Sequence, residues 1–188
     1  MSNENRERIL QAALAVLSSR GYERTTVKDI AEEAGVAPGL IHYYFKSKQQ
    51  LVVAALLVCC DKIALDLGPV TDAVAAFDLL KESLRENPEF HRFFIEMVGV
   101  GLHDPEIAAG VLQFLRSDRG FVEQITSHVL GEREDIDRRT VTPLASAVWA
   151  AIFGIIVQNL VDPEFDAEAS VDALALMAAA TVTRLTAA

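Results

Sequence analysis

Cysteine is almost absent from this chain: its two copies, Cys59 and Cys60, are adjacent. Adjacent cysteines cannot build a disulfide framework and lack the spacing of a metal cluster, so they read as helix residues in a reducing compartment. No metal and no cofactor is expected. The four histidines are scattered, with no H-x-x-x-H element, and no D-x-D element stands beside them. No nucleophile stands beside a base and no glycine loop could cradle a phosphate, so an enzyme is not expected. The opening residues MSNENRERIL lack the apolar run of a signal peptide, which makes the expected location cytoplasmic. Period-two alternation, internal repeats and low-complexity linkers are missing too, leaving helix as the regular element to look for.

Positive charge is also in short supply. The chain has 17 Lys+Arg against 27 Asp+Glu, a formal net charge of -10, which excludes a protein that coats nucleic acid generally. The deficit is uneven. Residues 1–50 carry seven basic against six acidic side chains (net +1), leaving ten against twenty-one (net -11) for residues 51–188. A small head able to approach a polyanion on an acidic body that would be repelled by one fits this split. With 51% hydrophobic residues the chain is not disordered.

Charge is missing altogether from Thr140 to Val161, a run long enough to span a bilayer. Pro143, Ser146, Gly154, Gln158 and Asn159 interrupt it. A helix buried on two sides, against its own domain and a second subunit, has the same composition, and that reading is preferred to a membrane.

What is present is helical punctuation. Ile9, Ala13, Val16 and Leu17 give the first helix an apolar face, and Gly21 ends it. Thr26 with Asp29 approaches a capping box for a second helix, Gly35 permits a reversal, and Pro38 suits the first turn of a third. Ser47 and Gln50 open a long helix from Lys48 to Leu67, stopped by Gly68-Pro69. Further helices are expected over 71–86, 88–102, 105–130, 141–161 and 167–185, with Asn87, Asp104 and Asp166 as starts. Gly110 and Gly120 are expected to bend or split the long middle one. A charged loop covers 131–139. The fold class is therefore all-α, with about nine helices.

Two short helices with Ala31, Ala34 and Gly35 where they cross have the geometry of a helix-turn-helix. The second, Pro38 to Tyr44, would enter the major groove with its N-terminal half near base edges. Three stretches stand around this unit: R-x-x-I-L-x-A-A (Arg6 to Ala13), G-Y-x-x-T-T-V-x-D-I-A-x-x-A-G-V (Gly21 to Val36) and Y-F-x-S-K-x-x-L (Tyr44 to Leu51). In order, spacing and position they resemble the TetR family of transcriptional regulators, over roughly the first quarter of the chain. The resemblance implies an all-helical homodimer with a helix-turn-helix DNA-binding domain, residues 1–47, and a ligand-binding and dimerisation domain, residues 48–188.

The expected DNA contacts are Thr26 and Lys28 on phosphate near a helix start, and Pro38, Gly39, Leu40, His42 and Tyr43 on the reading helix. Lys48 matches the family's phosphate-contacting lysine. Tyr44 and Phe45 are expected to hold the three helices together. Two departures stand out: Ala37 occupies a position often held by Ser or Thr, and His42 stands where a Tyr is usual. Without Arg, Asn or Gln from Pro38 to Tyr44, bidentate base recognition is limited, and shape, apolar contacts and water carry more.

In the body, aromatic residues at helical spacing are mostly core, but a pocket between helices would use the same types with a few polar groups. The candidate lining is Phe77, Phe93, Met97, His103, Phe121, His128, Trp149 and Phe153. The last two helices bring Val148, Ile152 and Ile155 to one apolar face and Leu174, Ala178 and Val182 to another. In the family such helices form a four-helix dimer interface. The expected partners are therefore double-stranded DNA, a second copy, and a small, largely apolar effector that shifts the Lys48 helix and releases a palindromic operator. Repression is carried by resemblance alone. The competing reading is a helical lipid or acyl-group carrier with a degenerate head.

Overall fold

The computed structural model describes residues 2–67, 73–131 and 138–186, and every regular element among them is a helix. The order is α1 (Ser2–Arg20), α2 (Val27–Glu33), α3 (Pro38–Tyr44), α4 (Lys48–Leu67), α5 (Ala73–Glu86), α6 (Pro88–Gly101), α7 (Pro105–Leu130), α8 (Arg138–Val161) and α9 (Ala167–Thr186). The all-α expectation and the nine helices hold over these residues. The Gly68-Pro69 stop and most of the charged loop lie outside them.

Helix starts follow the capping chemistry. Thr26 and Asp29 form a complete capping box at α2. Ser47 Oγ accepts from Gln50 N at 3.0 Å at the start of α4. Asp104 accepts from the N–H groups of Glu106 and Ile107 at α7, and Asp166 from that of Ala169 at α9. Each supplies an acceptor to backbone donors that the first turn of a helix leaves unpaired.

The long middle helix is not split: α7 runs as one helix through Gly110 and Gly120. Gly110 serves close approach instead. A Cβ built there would lie 2.5 Å from Val53 Cγ1, so only hydrogen lets α7 come this near α4. A second difference is that α8 begins at Arg138, three residues earlier than expected.

The chain divides into two compact units, Met1–Ile63 with Glu89–Leu115, and Ala64–Pro88 with Arg116–Ala188. They do not coincide with the expected division after residue 47. The first gathers Ile9, Leu17, Ile30, Ile41, Leu51 and Leu56 with Phe93, Phe94, Met97, Ile107 and Phe114, all 2% exposed or less. Phe94 and Phe114 stack with ring centroids 4.4 Å apart. In the second unit α9 packs on both α5 and α8. Lys81 of α5 pairs with Asp172 of α9, and Arg85 with Glu168 at 3.8 Å. These pairs are exposed on at least one side and act on register more than on stability.

Among the described residues one helix, Arg139–Val161, is long and apolar enough to cross a membrane, and only 22% of its apolar window is buried within the chain. The buried part includes Val141, Ala145, Ile155 and Ile156. Pro143, Ala147, Ala150, Gln158 and Val161 are exposed, and Gly154 lies in the same stripe at spacings of three and four.

Candidate nucleic-acid interface

The head is a three-helix core that turns one face of α3 outward. α1 packs on α2 and α2 on α3. Gly35 takes φ +62, which lets Val36 N–H reach back to the Ala31 carbonyl at 2.9 Å and closes the turn. Ile41 at 1% exposure anchors α3, and Phe45 at 4% closes its end under the Arg6 guanidinium, 5.5 Å from the ring centre. With Ile41 inward, Ala37, Pro38, Gly39, His42 and Tyr43 are exposed, and Leu40 is half-buried. Tyr43 is 77% exposed and meets the Tyr44 ring edge-on at 5.1 Å. Ala37 makes no side-chain cap, as its chemistry requires. Lys46, exposed just past α3, is a cation that the motif reading passed over.

The expected phosphate contacts are placed unequally. Lys28 is exposed. The Thr26 hydroxyl donates to Asp29 Oδ2 at 2.6 Å, and Thr26 N–H donates to the same oxygen at 2.8 Å. Both donors are therefore committed to the cap, and those hydrogen bonds hold the Asp29 carboxyl below the usual range. Lys48 is half-buried. Its ammonium donates to the Tyr22 carbonyl and lies 4.0 Å over the Tyr22 ring, while burial lowers its pKa against the pull of Glu23 and Glu96. The Tyr22 carbonyl takes one of the three ammonium donors and fixes where Lys48 points.

The same peptide is held from its other side. Tyr22 N–H donates to Glu96 Oε1 of α6 at 2.7 Å. Gly21, at φ +79, leaves room for that carboxylate: a Cβ there would stand 3.0 Å from it. Nearby, Gln49 reaches Asp104 at 3.5 Å and Ser47 reaches Glu106 at 3.4 Å. An open cleft of about 580 Å³ lies beside them, lined by Tyr22, Glu23, Lys48, Gly99, Val100, His103 and Asp104.

The candidate pocket residues fall in both units. Phe93 and Met97 are fully buried filling of the first unit, and His103 is exposed at its cleft. In the second unit Phe77 and Phe121 are half-buried and His128 is exposed, while Trp149 and Phe153 stack at 5.5 Å. Asp118, which the motif reading missed, accepts a hydrogen bond from Trp149; burial pushes its carboxyl up to about 7, and that bond only partly opposes the rise. Its register was legible, four residues after Phe114 and three before Phe121 on a helix. Among the described residues no cluster suits a metal ion.

A family profile described as "Bacterial regulatory proteins, tetR family" matches residues 9–55, the stretch that forms this head. Residues 9–55 thus form a DNA-binding head of the TetR type. The transcriptional repressor KstR of Mycolicibacterium smegmatis is 49% identical over 53 residues, 28% of this chain and 26% of that protein. The regulator BetI of Rhizobium meliloti is 38% identical over 76 residues, 40% of this chain and 34% of that protein. The matched stretch thus spans only about a quarter to a third of these curated relatives. BetI of Brucella suis is 25% identical over 90% of this chain and 86% of its own. A TetR regulator structure from Haloarcula marismortui superposes with a TM-score of 0.75 at 22% identity, covering 97% of this chain and 98% of that one, a likeness of fold.

Proposed function

We propose that this chain is a TetR-family transcriptional regulator that binds a palindromic operator as a homodimer, represses, and releases the operator when a small, largely apolar molecule enters its body. The observation that carries the reading is α3 itself: a helix anchored by one buried residue, Ile41, with Pro38, Gly39, His42 and Tyr43 exposed on a rigid three-helix base. A helix so presented can lie in the major groove, and the head's near-neutral charge allows approach to DNA where the acidic remainder does not.

Dimerisation through α8 and α9 is supported by what they leave uncovered. Ile155 and Leu174 are buried within the chain, whereas Leu176, Met177 and Val161 are about 70% exposed or more by the values 73%, 68% and 77%. The stripe of Ala147, Ala150 and Gly154 allows close helix approach, and a second copy is the occupant the TetR-type head favours over a bilayer. The partner surface is thus centred on Ala150, Gly154 and Leu176, beside Val148, Ile152, Ala178 and Val182. A dimer would set two copies of α3 about 34 Å apart, matching successive major grooves.

The test is a mobility shift on DNA flanking the chain's own gene. A retarded species containing two chains is expected, weakening steeply with salt. A chain that retards none of this DNA at low salt would favour the carrier reading.

A further inference from the structure

We infer that Asp118, with the Trp149 and Phe153 rings, is the polar anchor of an effector site that takes a small organic cation with an apolar body. The inference rests on the proposed effector-responsive body and names the chemical class of its ligand.

α7 and α8 run antiparallel at this place. Glu123 accepts from the Thr142 hydroxyl at 2.8 Å, and earlier on α7, Asp118 meets Trp149, later on α8. The α8 helix brings no counter-charge, because Thr140 to Val161 contains no charged residue. Among the described side chains of this unit, the other basic ones are placed elsewhere. Arg116 and Arg119, two before and one after Asp118, point to other faces of α7 and are exposed. Lys81 is held by Asp78 and Asp172, Arg85 by Glu86 and Glu168, and Arg139 and Arg184 are exposed. Glu123, the other acid facing α8, is occupied by Thr142.

A carboxylate in such a place is costly to ionise unless a cation meets it. Trp149 and Phe153 add what such a cation would use: two rings 25° from parallel at 5.5 Å, whose faces attract positive charge. Asp118, Trp149 and Phe153 are each only part-buried, so a ligand can reach them. An anion would meet repulsion, and a neutral hydrocarbon would leave the acid as it is. A cation restores the ionised form and lets the apolar remainder cover the rings. With the Asp118 pKa near 7, its binding below that pH releases the carboxyl proton, so affinity should rise about tenfold from pH 6 to pH 8.

The chain has one tryptophan, so its fluorescence reports on this site. Purified full-length protein is titrated with benzyltrimethylammonium, benzyl alcohol and benzoate. Only the cation should change Trp149 emission saturably, with affinity about tenfold or more weaker in Asp118→Asn, which keeps an oxygen for the indole. Equal responses to all three probes, or an unchanged affinity in a folded Asp118→Asn, would overturn the inference. If that variant does not fold, the wild-type comparison at pH 6 and 8 decides, a flat affinity being the contrary result. Operator binding is measured separately by anisotropy. Binding DNA while ignoring the cation defeats this inference alone; binding the cation but no DNA defeats the regulator reading alone.

Discussion

Replacing Asp118 by Asn should change the pH dependence of folding in a calculable way. Burial raises the carboxyl from 3.8 to about 7 in the folded chain. A raised acid contributes stability that is fully present below its unfolded value and is lost as pH climbs to the folded one. One unit corresponds to about 1.4 kcal/mol, so between pH 5 and pH 7 the wild type should lose about 2–3 kcal/mol relative to the asparagine variant. Buried His91 works in the opposite sense. Burial lowers its pKa to about 4, so folding gains stability as pH rises from there to the unfolded value of 6.5. Comparing the two proteins cancels the histidine, which both carry. With a urea slope of about 2–3 kcal/mol per molar, the midpoint difference should shift by about 1 M between pH 5 and pH 8. Far-UV circular dichroism at one protein concentration reads it. A wild-type-to-variant difference that is the same at both pH values would refute the burial of an unpaired charge.

Gly154→Arg should yield monomers in sedimentation while leaving the melt of each chain intact, because a Cβ there meets no atom within 4 Å in the subunit. Helix propensity even favours the change by about 1 kcal/mol, so a persistent dimer would move the interface away from α8. Gly110→Ala should lower the melting temperature, since crowding against Val53 costs about 1–3 kcal/mol and exceeds the helical gain; adding Val53→Ala should restore part of it. Thr26→Ala should destabilise by about 1 kcal/mol through the lost cap, read by chemical denaturation, and an unchanged midpoint would deny that the capping box holds α2.

Much of the fold was legible because helix ends are set by local chemistry. Thr26, Ser47, Asp104 and Asp166 each announce a start through an acceptor that the first turn needs, and Gly21 and Gly35 announce ends through a positive φ. Gly110 misled for a physical reason: in isolation a glycine weakens a helix, and only the neighbour brought by tertiary packing, Val53, shows that its missing side chain is what α7 requires. The face of α3 could be read from Ile41 and its spacing. Lys48 could not, because nothing local says that its ammonium turns to the Tyr22 carbonyl, twenty-six residues earlier. Nor did Glu96 carry any motif; its role depends on α6 meeting the α1–α2 turn. Asp118 sat in the apolar register of α7, but a solvated acid and a buried one look alike until the uncharged helix opposite is placed beside it.

Tyr43→Ala, assayed by anisotropy on a DNA fragment flanking the gene, tests the reading helix most directly. At 77% exposure the ring contributes little to folding, so the variant should melt as the wild type does. Loss of a groove contact should weaken binding about tenfold or more and alter the preferred sequence. Undiminished affinity and preference in a normally folded variant would contradict the account.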